Sequence, residues 1–357
     1  GRAANGEGFA DVVVAAHGFD NGEPDEGAAF IYYGFLGGLP ATPSLVLEID
    51  QAGARFGTSA RRAGDVNGDG YDDLIVGASQ YDNGEPDEGA VFVYHGGPAG
   101  LSASPSWRGE MNLTAAFLGI SSAPAGDTNG DGYDDVIVGA SSWANGHSLE
   151  GAVFVWAGGP TGLAASPLWQ VEANFAGARL GTSVAGAGDV NGDGYADILA
   201  GAPNRGNTFF RPGNAYLYAG SPSGPQVPAA WTGVGQFHNA LFGGAVATAG
   251  DVNSDGYADV LVGAAGDNEF YTSGGAAYLY LGSPSGLAVS ESWYALGSTN
   301  DRFGSSVGAA GDVDGDGYAE IIIGAPRETV SYSQEGKAVL YRGAPDTLST
   351  LPVWTGE

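Results

Sequence analysis

GDVNGDGYDDLIVGA at 64–78, GDTNGDGYDDVIVGA at 126–140, GDVNGDGYADILAGA at 188–202, GDVNSDGYADVLVGA at 250–264 and GDVDGDGYAEIIIGA at 311–325 are versions of one stretch. Their first aspartates, Asp65, Asp127, Asp189, Asp251 and Asp312, lie 62, 62, 62 and 61 residues apart. A weaker sixth copy, AANGEGFADVVVAA at 3–16, sits one period upstream. A fixed period of this size marks a repeat architecture, and each copy carries an acidic loop suited to a hard cation.

Around each loop the chain is cut into short apolar pieces. From Phe56 to Glu110 it runs FGTSARRAG, the acidic loop, DLIVGAS, the polar QYDNGEPDEG, AVFVYHG, GPAGLSASP and SWRGE. Pieces of four to six residues, rich in Val, Ile, Phe and Tyr and bounded by Gly, Pro, Asn or Asp, read as strands. GAVFVWAG at 151–158, GNAYLYAG at 213–220, GAAYLYLG at 275–282 and GKAVLYRG at 336–343 are further third strands, and Trp107, Trp169, Trp231, Trp293 and Trp354 mark the fourth. Four short antiparallel strands cannot bury both faces alone, so neighbouring sheets must pack face to face. A β-propeller of four-stranded antiparallel blades is the expected fold, all-β, with the tryptophans packing blade to blade. A stacked solenoid is the alternative, but it would need capping units that the sequence does not show.

The repeat overrides the two or three domains that 357 residues would suggest, so residues 1–357 are expected to form a single domain with a first repeat truncated at its N-terminus. The formal charge is −29, from 41 acidic against 12 basic residues, with Lys337 the only lysine. Such a field repels phosphates, which argues against nucleic acid and anionic membrane partners. Eighteen carboxylates stand at loop positions, and six bound divalent ions would bring the charge to about −17. Without cysteine there is neither a disulfide framework, a thiolate metal site nor a cysteine nucleophile. No run of 18 apolar residues suggests membrane insertion, and a start at Gly1-Arg2 without Met or signal peptide reads as a processed or truncated end. An acidic, cysteine-free chain dependent on calcium suits a secreted or cell-surface setting.

Phe56-Gly57, Phe242-Gly243 and Phe303-Gly304, the Gly-Ala-Pro triplets at 201–203 and 324–326, and the DxNxDGxxD loops between them resemble the FG-GAP repeats of the integrin α-subunit β-propeller and its bacterial relatives. The resemblance covers essentially the whole chain. Phe117-Leu118-Gly119 and Leu180-Gly181 depart from the Phe-Gly pair. Integrin propellers have seven blades, whereas this chain shows six acidic loops, six third strands and five FG strands. Six blades is the expected number, with a seventh supplied by sequence outside this chain as the alternative.

Asp65, Asn67, Asp69, the carbonyl of Tyr71 and Asp73 occupy loop positions 1, 3, 5, 7 and 9, so alternate residues turn oxygen toward one centre. Oxygen donors in a flexible loop favour Ca²⁺ over Mg²⁺ and disfavour zinc and copper. The same assignment gives Asp127, Asn129, Asp131, Tyr133 and Asp135, then Asp189, Asn191, Asp193, Tyr195 and Asp197. It also gives Asp251, Asn253, Asp255, Tyr257 and Asp259, and the most charged set, Asp312, Asp314, Asp316, Tyr318 and Glu320. The charge of that last set predicts the tightest binding, and Ser254 in place of a glycine raises a question about its turn. A weak sixth set, Asn5, Glu7 and Asp11, lacks the first aspartate, where Ala3 stands. About five Ca²⁺ sites are therefore expected, six if the weak set binds. The bland alternative, Asx turns without an ion, would leave converging carboxylates to repel one another.

His17, His95, His147 and His238 sit at different places in the repeat, and no serine lies in a nucleophile elbow. No enzyme is expected, and no catalytic residue is assigned; a lyase or phospholipase carrying such a propeller would need a further catalytic domain. The Asn112-Leu113-Thr114 sequon reads as a chance match. In the integrin-like arrangement the calcium loops lie on one face, and the loops between strands two and three lie on the ligand-facing side. There Trp143, Phe209, Phe210, Arg211, Phe270, Tyr271 and Tyr332 punctuate polar loops and are the ligand-face candidates. The resemblance implies an extracellular calcium-binding module for protein–protein adhesion or assembly. A calcium-stabilised lectin binding glycans between blades is the alternative.

Overall fold

The computed structural model describes residues 4–207, 210–267, 273–328 and 334–356. Every regular element among them is a β-strand. The chain divides into two compact units, residues 1–176 and 177–357, each holding three antiparallel sheets. The fold is the β-propeller expected from the repeat, with six blades.

In the first unit, β1 (Val12–Ala16), β2 (Ala28–Tyr32) and β3 (Leu45–Glu48) form a three-stranded sheet. Two four-stranded sheets follow. One comprises β4 (Phe56–Gly64), β5 (Asp73–Ala78), β6 (Ala90–Tyr94) and β7 (Trp107–Glu110); the other comprises β8 (Leu118–Gly126), β9 (Asp135–Ala140), β10 (Ala152–Trp156) and β11 (Trp169–Glu172). The second unit holds β12 (Ser183–Gly188), β13 (Asp197–Ala202), β14 (Asn214–Tyr218) and β15 (Trp231–Val234). Next come β16 (Phe242–Gly250), β17 (Asp259–Ala264), β18 (Ala276–Tyr280) and β19 (Trp293–Leu296), then β20 (Ser306–Gly311), β21 (Glu320–Ala325), β22 (Lys337–Tyr341) and β23 (Trp354–Gly356). Within each sheet the strands pair in chain order, so every connection is a simple up-and-down turn.

The second strands explain the continuous apolar runs of the repeat. β5, β9, β13 and β17 are buried at every position, and β5 and β17, each with a sheet of its own unit on either side, need both faces apolar. Consecutive sheets share cores: Ile31 and Leu47 pack with Val76 and Phe92, and Leu199 and Leu217 pack with Val260 and Tyr278.

Two residue types make the joints between sheets. Trp107, Trp231 and Trp293 each lie edge-on against an aromatic ring of the following sheet, with centroids 5.6 Å from Trp156, 4.7 Å from Tyr280 and 4.8 Å from Tyr341. Their indole N–H groups donate to the carbonyls of Ala164, Ala288 and Ser349 at 3.1, 3.0 and 3.2 Å. Trp354 departs from this role and is 51% exposed.

The second joint is made of glycine. A Cβ on Gly77 would lie 2.0 Å from the carbonyl oxygen of Gly119, one on Gly201 would lie 1.9 Å from that of Gly243, and one on Gly263 would lie 2.1 Å from that of Gly304. The first glycine of each Gly-Ala triplet, at the end of a second strand, thus meets the Phe-Gly or Leu-Gly glycine of the next sheet, with no space for a side chain.

Candidate metal centres

Each of the five full acidic loops joins the first strand of a sheet to the second, and its aspartates shape it before any ion is considered. In the loop after β12, Asp189 Oδ1 accepts the amides of Gly192 and Asp193 at 2.7 and 3.1 Å, and Oδ2 accepts that of Gly194 at 2.8 Å. Asn191 Oδ1 accepts the Asp193 amide, and Asp193 Oδ1 accepts that of Tyr195. These are nested Asx turns, in which each short polar side chain folds the backbone two to five residues ahead. The loops beginning at Asp65, Asp127, Asp251 and Asp312 repeat this pattern. Ser254 takes a left-handed φ of 59° where the other copies have glycine, and the hydrogen bonds of its loop are kept.

The ninth position has a second role that the spacing did not reveal. Asp197 is fully buried; its Oδ2 accepts the Val190 amide at 3.0 Å and its Oδ1 the Gly220 amide at 2.8 Å, just beyond the third strand. Asp73, Asp135 and Asp259 make the same pair of bonds, so each latches its loop to the chain just beyond the neighbouring third strand. Burial, opposed by these hydrogen bonds, raises the Asp73 carboxyl to about 7 and those of Asp135, Asp197 and Asp259 to about 6. Asp11 latches the first loop in the same way, to Ala4 and Gly34, while Asn5 accepts the Glu7 amide.

All five full sets therefore gather oxygen donors from positions 1, 3 and 5 on one short loop, with the ninth carboxylate held beneath. The first-position Oδ2 and fifth-position Oδ1 of the Asp189 loop each accept one backbone amide and keep a second lone pair, and Glu320 Oε1 in the last loop accepts none, so the donor sets suit a hard cation without refolding. In the last copy, oxygens of Asp312, Asp314 and Glu320 lie within 4.8 Å of one another. That copy also holds a cation of its own. Arg342 donates to Asp316 at 2.6 Å through Nη2 and at 3.0 Å through Nε, and its Nη2 lies 2.9 Å from Asp314. The extra negative charge read from the sequence is thus partly offset by a guanidinium on the end of β22.

Loops of neighbouring sheets are also stitched together. The Asp65 amide donates to Asp134 at 2.8 Å, and the Ala258 and Ala319 amides donate to the carbonyls of Asp189 and Asp251. The Tyr71, Tyr133 and Tyr257 rings lie over Gly6, Gly68 and Gly192 of the preceding loops, where an added Cβ would come within 2.7 Å. The sequence assigned these tyrosines only a carbonyl; their regular spacing was the available sign of ring packing.

Among the ligand-face candidates, Trp143 lies in the core, its ring edge-on to Phe154 and its indole N–H donating to Glu172 at 3.0 Å. Its apolar ring is buried beneath the loop, which corrects the expectation that it faces a ligand. Phe210 is exposed, and the amide of exposed Arg211 donates to His238. Phe209, Phe270, Tyr271 and Tyr332 lie outside the described residues.

The FG-GAP repeat profile matches residues 56–94, 180–221, 242–280 and 303–341, and an FG-GAP-like repeat profile matches 127–200, together more than half of the chain. The chain belongs to the FG-GAP repeat family. Relatives of these FG-GAP repeats include integrin alpha-5 of Xenopus laevis, 33% identical over 147 residues, covering 38% of this chain and 14% of the relative. Integrin alpha-7 of Homo sapiens is 35% identical over 167 residues, 45% of this chain and 13% of the relative. Integrin alpha pat-2 of Caenorhabditis briggsae is 33% identical over 225 residues, 57% and 17% respectively. Each match thus spans less than a fifth of the relative's length. Two solved structures share the FG-GAP chain's fold at a TM-score of 0.51. Sqt1 of Saccharomyces cerevisiae, 10% identical, is covered over 68% of its chain and 92% of this one; BBS1N, solved in complex with ARL6DN and 11% identical, is covered over 88% and 98%. At such identity they speak to the fold alone.

Proposed function

We propose that this chain is an extracellular, calcium-stabilised module for protein–protein adhesion or assembly, with no catalytic role. The observation that carries the calcium reading is the repetition of one prefolded loop, with oxygen donors at Asp, Asn or Asp, and Asp, in five successive repeats. In the last copy, where oxygens of Asp312, Asp314 and Glu320 lie within 4.8 Å of one another, a divalent ion would remove the mutual repulsion, and the loop is already ordered for it. The first loop, with Asn5, Glu7 and Asp11 but no first aspartate, is the weakest binder. Calorimetric titration of chelator-treated protein with calcium tests this reading; about five bound ions are expected, and an absence of binding heat together with an unchanged melting curve would overturn it.

The adhesion reading draws on the integrin alpha likeness and on the polar loops between second and third strands, where Phe210 and Arg211 are exposed. Among the described residues no helix is long and apolar enough to cross a membrane. Beads coated with the protein should attach to cells or matrix in calcium and detach in chelator. A glycan array in the same two buffers separates the alternative, since calcium-dependent binding to one defined sugar would make the chain a lectin.

A further inference from the structure

One position, immediately after the third strand of each sheet, differs from repeat to repeat. It holds Tyr33, His95, Ala157, Ala219, Leu281 and Arg342. In the first unit Tyr33 and His95 reach across to the next sheet. The Tyr33 hydroxyl accepts the Leu101 amide at 2.7 Å, and a Cβ on Gly162 would lie 2.8 Å from the His95 ring. In the second unit Leu281 packs into the core that joins the sheet of β16–β19 to that of β20–β23.

Ala219 stops short of the corresponding gap. A cavity of about 310 Å³ is left there, with Leu217, Ala219, Trp231 and Leu287 in its walls and Asn191 and Asp193 at one end. Leu217, Trp231 and Leu287 are buried, whereas Asp193 is exposed. Leu287 corresponds in the repeat to Leu101, so this space is the counterpart of the one that Tyr33 fills in the first unit.

The last sheet shows which chemistry suits such a space. There Arg342 stands in the position of Ala219, and Asp314 and Asp316 stand in those of Asn191 and Asp193. The guanidinium meets Asp314 at 2.9 Å and Asp316 at 2.6 Å, with Nε adding a second bond to Asp316 at 3.0 Å. An arginine carries a planar fork of donors on an apolar stem, which matches a carboxylate at the end of an apolar wall. In the fourth sheet that cation is missing. Asp193 Oδ2 accepts the Asn191 side-chain amide at 2.9 Å, and among the described residues no cationic group pairs with it.

We propose that the cavity beside Ala219 binds a guanidinium carried on an aliphatic stem, with the head on Asp193 and the stem between Trp231 and Leu287. The net charge of −29 draws such a cation toward the surface. An ion in the Asp189 loop would share the Asp193 carboxylate, so each ligand lowers the affinity of the other.

The test titrates the intact chain, in chelator, with agmatine and with N-acetyl-arginine amide by calorimetry. Saturable binding with a dissociation constant of about 1 mM or below is expected. Filling the space from within should remove it: Ala219→Arg, after Arg342, and Ala219→Tyr, after Tyr33, should each weaken binding about tenfold or more, and Asp193→Asn should do the same. Circular dichroism of the three variants should match that of the parent. The citrulline analogue keeps the shape of arginine without its charge and should bind about tenfold more weakly or worse. Tighter binding of a short arginine peptide than of both small probes would identify a partner protein as the source of the guanidinium; equal binding would identify a small molecule. Absence of saturable heat, equal binding of the citrulline analogue, or binding untouched by Asp193→Asn and by both Ala219 substitutions overturns the proposal.

Discussion

At the scale of single residues the ninth and fifth loop positions separate two jobs that look alike in sequence. Asp197 receives two buried backbone donors, whereas Asp193 sits on the exposed rim and caps one amide. Asp197→Asn leaves a buried donor unmatched and should cost about 1–3 kcal/mol in urea unfolding, with or without chelator. Asp193→Asn should change stability little in chelator while weakening one calcium site in titration calorimetry. Arg342 gives a test of opposite sign. Its guanidinium engages Asp314 and Asp316, so Arg342→Ala should tighten calcium binding at the last loop, seen as a steeper first phase in the titration. The loop ligands were legible because alternate residues along a turn are a local property. The Arg342 contact was not, since it spans 26 residues and depends on how the end of β22 meets the loop.

At the scale of strands and sheets, the repeats, strand order and face-to-face packing are legible from period and composition. Glycine and tryptophan spacing carried that reading, because each closes a joint between sheets. Trp231→Ala should cost about 3–5 kcal/mol, since it removes a buried ring from Tyr280 and the hydrogen bond to Ala288. Gly201→Ala should prevent folding at ordinary temperature, because its Cβ would meet a backbone oxygen at 1.9 Å and no side chain can move aside; soluble yield and circular dichroism report it. Trp143 was misjudged from sequence for a physical reason. Its neighbours Ser142 and Ala144 are small and the following loop is polar, so the segment reads as exposed; the ring instead turns inward onto Phe154. Polarity of a loop says where its backbone runs, but not where one aromatic within it points.

At the scale of the whole molecule, charge governs stability. The net −29 and the four latched aspartates act in the same direction when no ion is bound. A carboxyl raised by folding holds its proton more tightly in the folded than in the unfolded chain. The resulting stability is fully present below about pH 4 and is lost as pH rises through about 6 to 7. Calcium-free protein should therefore melt at a lower temperature at pH 8 than at pH 5, and saturating calcium should narrow the gap by favouring the ionised form. Each ion bound only by the folded chain adds about 2.7 kcal/mol at a hundredfold excess over its dissociation constant. We propose that residues 1–357 unfold as one domain, so calorimetry in calcium should record one transition; two would assign the compact units independent stability. The glycine joints have a further consequence, for ancestry. One half of each joint lies on the second strand of a sheet and the other half on the first strand of the next, so any segment one period long carries both halves. An unequal crossing-over that adds or removes one period therefore leaves both halves of the glycine joint in place at the new seam.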